Sequence, residues 1–375
     1  MSHFPLSSLL TLPIEIFHQI FDYLDAQTII LSLSRTCRQL QVAANSYIRY
    51  VFNFKFISKL DFQLLCLRID PRNVISLTLF RHDEIVNQVQ LFLSTVKNKY
   101  FHRLHSLTLV NIEECDLNRI FRHVNIDSLI SLSIKIGEIS EGYKENTAKL
   151  LSSIVQQVNL RHFELEIDES RIITMSWPVE CTIQQLRLST TLTVYPSSTI
   201  FNCSTHFRQL TSLAIENLRT NMDNIELFFS QTPSLIYLKL IGKENFMNGH
   251  RWEQIIQTKL PLLKKFEFFF VRYRNALPTA LENQSIIASF QTSFWIEYKK
   301  WLVNFELSTG WIFVIKVYSL PVCVSHLNYE YASGQVSQLA MTSIISNNAS
   351  IMDNITTVQM NLANITPIII QQNVI

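Results

Sequence analysis

At 375 residues the chain exceeds one ordinary domain and is long enough to bury a sizeable core. Its 47% hydrophobic and 17% charged residues exclude a disordered chain, and a net charge of +2 excludes a strong built-in pull toward nucleic acid or an acidic membrane. With 6 Gly and 10 Pro, hairpin-rich barrels are disfavoured against helices and strands joined by short polar loops.

No Lys or Arg precedes the first apolar residues, and Thr11, Pro13 and Glu15 break the run 9–16, so no secretory signal is expected. The longest apolar stretch, 311–324, contains Lys316 and Pro321 and is too short to span a bilayer. The chain is therefore expected to be soluble and cytoplasmic or nuclear. Cys37, Cys66, Cys115, Cys181, Cys203 and Cys323 are scattered without a CxxC pair, which predicts reduced thiols rather than disulfides or zinc ligands. Without a secretory signal, the Asn-x-Ser/Thr sequons at Asn348, Asn354 and Asn364 read as products of a tail rich in those residues.

The first elements are three short helices between residues 9 and 49. Pro13 suits a first helical turn, and Glu15 complements the positive end of the helix dipole. Ile16, Phe17, Ile20, Phe21 and Leu24 follow at three- and four-residue spacing and predict one apolar face. Asp25 is a candidate cap for a second helix carrying Ile29, Ile30 and Leu33, and a third segment holds Cys37, Leu40 and Ala43. So much apolar surface exceeds what a three-helix unit of this size can hide, which implies a partner surface.

The ordered set Leu9, Leu12, Pro13, Glu15, Ile16, Ile20, Phe21, Tyr23, Leu24 and Asp25, then Ile29, Ile30, Leu33, Arg35, Cys37 and Arg38, resembles the F-box. That family's helices pack on the adaptor subunit of a cullin–RING ubiquitin ligase. The resemblance implies Leu12, Pro13, Ile16, Ile20, Leu24, Ile29, Leu33 and Cys37 as adaptor-contact or supporting core positions. Thr36 and Leu40 depart from it, standing where the family usually has an apolar and an aromatic residue.

From residue 74 a motif recurs: apolar, two residues, apolar, one residue, apolar. Its copies start at Val74, Leu104, Leu129, Leu160, Ile183, Leu210, Leu235 and Leu263, at intervals of 23 to 31 residues. Period and motif resemble leucine-rich repeats of the strand–helix kind. Alternate strand residues line one face and helices cover it, so parallel strands inside and helices outside would stack into a curved solenoid. Helices are predicted over 84–96, 146–158, 224–230 and 251–259. Asn111 and Asn217 stand one position earlier than the asparagine of such repeats, with Ile112 and Leu218 in the expected slot.

Residues between the motif's apolar positions should face away from the core. In the early repeats these are Ser76, Thr78, Ser106, Thr108, Ser131 and Ser133. Later repeats present His162, Glu164, Glu166, Arg187, Tyr237, Lys239, Lys265, Glu267 and Phe269, a mixture of charge and aromatic that suits a protein-binding surface.

After residue 270 the period is lost. Two strands are predicted, over 294–307 and 311–320, as a cap built on Trp295, Trp301 and Trp311, with a ligand pocket as the other reading of those aromatics. Only Asp353 is charged from residue 331 onward, yet Val336, Leu339 and Met341, and again Ile355, Val358 and Met360, repeat the motif.

The expected fold class is thus α/β: an F-box over 1–55, a connecting segment over 56–73, the solenoid over 74–284, a β-hairpin-like cap over 285–330 and a low-charge tail over 331–375. No phosphate loop, nucleophile elbow or zinc motif occurs. His102 and His105 lack further ligands nearby, and Glu113, Glu114 and Asp116 read as a solvated turn. The expected function is substrate recognition for an SCF-type ubiquitin ligase: no catalysis by this chain, no cofactor or metal, adaptor and cullin as partners, and an unidentified protein target. A binding scaffold that feeds no ligase is the alternative.

Overall fold

Unit 1 of the chain, Met1–Ile183, opens its described part with helices made amphipathic by their spacing, and unit 2, Gln184–Ile375, follows its parallel strands with an antiparallel hairpin. The computed structural model describes residues 12–81, 88–96, 100–138, 143–191, 205–218, 220–308, 312–324, 326–330, 340–341 and 357–361.

In unit 1, helix α1 (Ile14–Phe21) starts directly after Pro13 and buries Phe17 and Phe21. The second helical segment is not a regular α-helix. Asp25 Oδ1 accepts the Thr28 N–H at 2.7 Å, and a π-helical turn over Thr28–Ser32 and a 3₁₀ turn over Leu33–Arg35 follow. Helix α2 (Arg38–Ser46) buries Leu40, Ala43 and Ala44.

The repeats begin before the first recognisable motif. Strand β1 (Tyr50–Asn53) alternates buried and exposed residues and pairs in parallel with β2 (Val74–Phe80). Residues 56–73, expected as a connector, instead carry helix α3 (Lys59–Arg68), capped by the Ser58 hydroxyl. The correction has a clear origin: Tyr50, Phe52 and Phe54 fill with aromatics the places that later repeats fill with leucines.

Strands β3 (Ser106–Glu113), β4 (Ser131–Glu138) and β5 (His162–Asp168) extend this parallel sheet. Their middle motif residues are aligned, Leu77 with Leu107, Leu107 with Leu132 and Leu132 with Phe163, all buried. Helices α4 (Gln88–Thr95), α5 (Glu114–Phe121) and α6 (Lys144–Val155) return the chain between strands, and α7 (Glu169–Ile173) follows β5.

Unit 2 repeats the scheme. Parallel strands β6 (Gln185–Thr191), β7 (Ser212–Leu218), β8 (Tyr237–Lys243) and β9 (Lys265–Arg274) align Leu186, Leu213, Leu238 and Phe266. Helix α8 (Met222–Phe229) joins β7 to β8, and α9 (Gly249–Lys259) joins β8 to β9. Each is capped by an asparagine carbonyl, Asn221 and Asn248.

The two early asparagines explain themselves. Asn111 and Asn217 have φ of 58° and 61°, the left-handed region that Asn tolerates better than most residues, and each sits at a break in strand register. A bulge absorbs one residue, so the asparagine arrives early while Ile112 and Leu218 stay buried in the core. Each amide still reaches the preceding repeat: Asn111 donates to the carbonyl of Arg81, just past β2, at 3.4 Å and Asn217 to the Thr190 carbonyl on β6 at 2.7 Å. A glycine on the following strand makes room in both places. A Cβ on Gly137 would lie 1.9 Å from Asn111 Oδ1, and one on Gly242 would lie 3.2 Å from the Leu218 carbonyl oxygen.

The end of the array differs from expectation in its first half. Residues 294–298 form a π-helical turn, Phe294–Tyr298, not a strand, and helix α10 (Ala280–Ser289) precedes it. The hairpin is β10 (Val303–Ser308) with β11 (Phe313–Ser319), and β11 pairs antiparallel with β9. Trp295 faces inward, its ring 5.0 Å from Phe290 and 6.2 Å from Phe268, so this tryptophan fills the core as a cap rather than lining a pocket. A helical turn serves better than a strand here because Trp295 must reach back onto Phe266 and Phe268 of the last parallel strand. Trp311 and most of the tail lie outside the described residues. Within them, β12 (His326–Glu330) pairs in parallel with β14 (Thr357–Asn361), and β13 (Ala340–Met341) pairs with β10. No helix among the described residues is long and apolar enough to cross a membrane.

Candidate functional site

Two surfaces carry the residues singled out by sequence. The first is helix α1. With Phe17 and Phe21 turned into the module at 1% exposure each, Ile16 and Ile20 one residue earlier stand 36% and 37% exposed. Pro13 is exposed in line with them at the helix start, and Leu12, Leu24, Leu33 and Cys37 are half-buried. Ile29 departs from the set: it is buried, so it supports the module from inside and is not available to a partner.

Sequence reading missed the groups that fix α1 in place. The Tyr47 hydroxyl donates to Asp22 Oδ1 at 2.7 Å, and the Arg49 guanidinium reaches Asp22 Oδ2 at 2.6 Å. The His18 ring nitrogen Nε2 meets the Ser46 hydroxyl at 3.1 Å. Burial first, and then the bond to Asp22, push the Tyr47 hydroxyl up to about 12. These clasps join the two ends of the module. Their only sequence signal is a polar residue just past each apolar face.

The second surface is the strand face turned away from the helices. In unit 1, register places Glu164 beside Ser133 and Glu166 beside Lys135. The Ser133 hydroxyl donates to Glu164 at 3.1 Å, and Lys135 Nζ lies 2.8 Å from Glu166. His162 is half-buried on the same strand.

In unit 2 five of the six remaining residues form two clusters, Arg187 and Lys239 around Glu216, and Tyr237 and Lys265 around Glu267, while Phe269 packs with apolar side chains. Glu216, absent from the sequence-based set, centres the first cluster, 2.9 Å from Arg187 and 3.0 Å from Lys239. Burial works to raise the Glu216 carboxyl, but Lys239 and Arg187 outweigh it and hold the group below its usual range. The Tyr237 hydroxyl donates to Glu267 at 2.5 Å, and Lys265 Nζ lies 2.7 Å from the other Glu267 oxygen and 5.5 Å from the Tyr237 ring centre. Burial, then the bond to Glu267, raises the Tyr237 hydroxyl above its ordinary value.

Two expectations fail on this face. Glu267 and Phe269 are buried, at 8% and 9% exposure, not presented to solvent. The cause is the chain itself, because Val322, Cys323 and Val324 pack over Phe269 after the hairpin.

The acidic group on α5 is a further correction. Glu114 and Asp116 are buried in the helix's first turn, not a solvated loop. Arg171 binds Glu114 through both oxygens, at 3.2 and 3.3 Å, and Asp116 accepts from Gln90 and Arg119. Glu113, Cys115 and Asp116 have ligand atoms within 4.8 Å of one another. Arg81 and Arg119 already neutralise the two carboxylates, and burial, then the bond to Glu113, pushes the Cys115 thiol up to about 11. That donor set favours ion pairing within the protein over cation binding. His102 and His105 are both exposed.

Comparison with known families and structures adds two findings. The family model described as F-box-like matches residues 9–51, so this part of the chain is an F-box-like domain. Among solved structures the chain is similar to the leucine-rich repeat-containing protein LegL7 from Legionella pneumophila, at 12% identity over 71% of this chain and 81% of that one, with a TM-score of 0.29. No curated protein matches.

Proposed function

We propose that the chain is the substrate-recognition subunit of an SCF-type ubiquitin ligase, in which the F-box-like domain binds the adaptor and the strand face of the repeats holds a target protein. One observation carries the reading: within a domain that matches the F-box-like family, Pro13, Ile16 and Ile20 leave an apolar strip exposed on a helix whose other side is already closed by Phe17 and Phe21. Exposed apolar surface of that kind marks a protein interface. The chain itself performs no chemistry. Holding a target lysine near a ubiquitin-loaded carrier makes the transfer effectively intramolecular, and the carrier and RING subunits supply the reaction. The site of action is the cytoplasm or nucleus.

The test is the double substitution Pro13→Asp with Ile16→Lys, both at exposed positions, scored by co-purification of adaptor and cullin from cells. Loss of both subunits with unchanged circular dichroism supports the reading. Undiminished adaptor recovery overturns it. If the wild type recovers adaptor without cullin, the chain is a protein-binding scaffold that feeds no ligase.

A further inference from the structure

On the strand face of unit 2, polar residues give way at one place to an apolar strip. Ile241 on β8, Phe269 and Val271 on β9 and Tyr318 on β11 lie together there. All four belong to the alternate set of their strands, opposite the core residues Leu240, Phe268, Phe270 and Val317. A solvent-facing strand surface has no structural need for such residues. Phe269 and Tyr318 stack with ring centres 5.4 Å apart, so the strip is a shaped surface and not scattered side chains.

Its occupant is visible. Val322, Cys323 and Val324, which belong to no helix or strand, pack onto it and reach 2%, 5% and 8% exposure. Around the strip stand Lys239, Glu267 and Tyr237, the charged and aromatic residues expected of a target-binding surface. The segment therefore occupies the part of the face best equipped to bind a protein, with its side chains packed on the strip.

We propose that this strip is the docking site for a short, extended apolar segment of the target protein, and that residues 322–324 fill it as an intramolecular stand-in which the target displaces. The inference rests on the reading of this face as target-binding. A tethered occupant competes at an effective concentration in the millimolar range, so a free ligand binds the wild type far more weakly than it binds an emptied strip.

The probe is a fluorescent synthetic peptide with the sequence of residues 319–325, titrated against the full chain by anisotropy. The variant Val322→Ser with Val324→Ser weakens the stand-in and leaves the strip intact. It should bind the peptide at least tenfold more tightly than the wild type, and adding Phe269→Ser should remove that gain. Equal affinities for wild type and variant, or no binding to the variant, overturn the proposal. Hydrogen exchange on the wild type guards against a variant that merely misfolds. Amides of 322–324 should exchange at least 100-fold faster than those of Leu238 and Leu240, and protection equal to theirs would make the segment a fixed part of the fold and sink the idea. Adaptor co-purification is read in parallel. Its loss with the peptide result intact would fail the ligase reading and leave the docking strip standing.

Discussion

Arginine–glutamate pairs stand in both units, and their settings are opposite. In unit 1, Arg171 and Glu114 have side-chain exposures of 1% and 0%, and the guanidinium also reaches Asp168, the residue whose carboxylate caps α7. The pair ties α7 to the start of α5, 57 residues away in sequence. In unit 2, Glu216 lies between Arg187 and Lys239 on the strand face, with Arg187 49% exposed. The same chemistry is thus an internal fastening in one unit and a surface feature in the other. Burial decides which, because a lone charge in the interior keeps its full desolvation cost, whereas water screens a charge on a face.

The sharpest way to break this comparison is to remove one member of each pair. Arg171→Met leaves Glu114 buried without its bidentate partner, and should cost about 3–5 kcal/mol in urea unfolding. The double variant Arg171→Met with Glu114→Leu should recover a large part of that loss, since a matched apolar pair carries no orphaned charge. A single variant as stable as the wild type would mean that the fastening holds nothing.

The motif leucines should behave alike in both units, which sharpens the contrast by supplying a shared baseline. Leu132 in unit 1 and Leu238 in unit 2 are both buried at the middle motif position. Truncation of either to Ala should cost about 2–5 kcal/mol, measured by the same unfolding experiment. A cost well below this range for one of them would show that its unit tolerates a cavity that the other does not.

These leucines were also the most legible part of the chain. The second and third apolar residues of all eight motif copies lie on strands, because alternation of period two and a recurring length need no knowledge of tertiary partners. The first repeat escaped notice because Tyr50, Phe52 and Phe54 replace its leucines. Where partners lie far away in sequence, reading failed. Glu114 looks solvated until Arg171 is placed against it, and Phe269 looks exposed until residues 322–324 return over it. Trp295 was foreseen as a cap but assigned to a strand, since its role depends on Phe268 and Phe290 and not on its own neighbours. On α1 the apolar face was legible as a whole. Its division into buried Phe17 and Phe21 and exposed Ile16 and Ile20 was not, because it depends on where α2 packs.

The paired glycines offer a finer comparison of the two units. Gly137→Ala would force a Cβ to 1.9 Å from the Asn111 amide oxygen, at a residue already held at φ 58°. Gly242→Ala meets only contacts of 3.1 Å and longer. The first should therefore cost about 1–3 kcal/mol and the second less, as overpacking does. The check is thermal unfolding of both variants, with the bulge asparagine followed by amide NMR. If the order is reversed, the bulge in unit 1 is softer than the one in unit 2.

The smallest expected effect concerns Glu216, and its sign is fixed by the direction of its shift. Its folded carboxyl is held low by Lys239 and Arg187 against the opposing influence of burial. A carboxyl whose folded value lies below its unfolded value adds stability above the unfolded value and loses it as pH falls through the folded one. Glu216→Gln should thus lower stability near neutral pH by about 0.2–1 kcal/mol, the range of partly exposed pairs. The difference between wild type and variant should shrink as pH drops through and below the ordinary carboxylate range. It should also shrink with added salt, since these pairs lie near water and counterions screen them. Arg171→Met provides the contrast in the salt series, because a pair at 1% and 0% exposure is shielded from the same counterions. Urea unfolding of both variants across a salt series reads this directly: a salt-insensitive loss for Glu216→Gln would place its carboxylate with the internal fastenings of unit 1 and not with the charges on the strand face of unit 2.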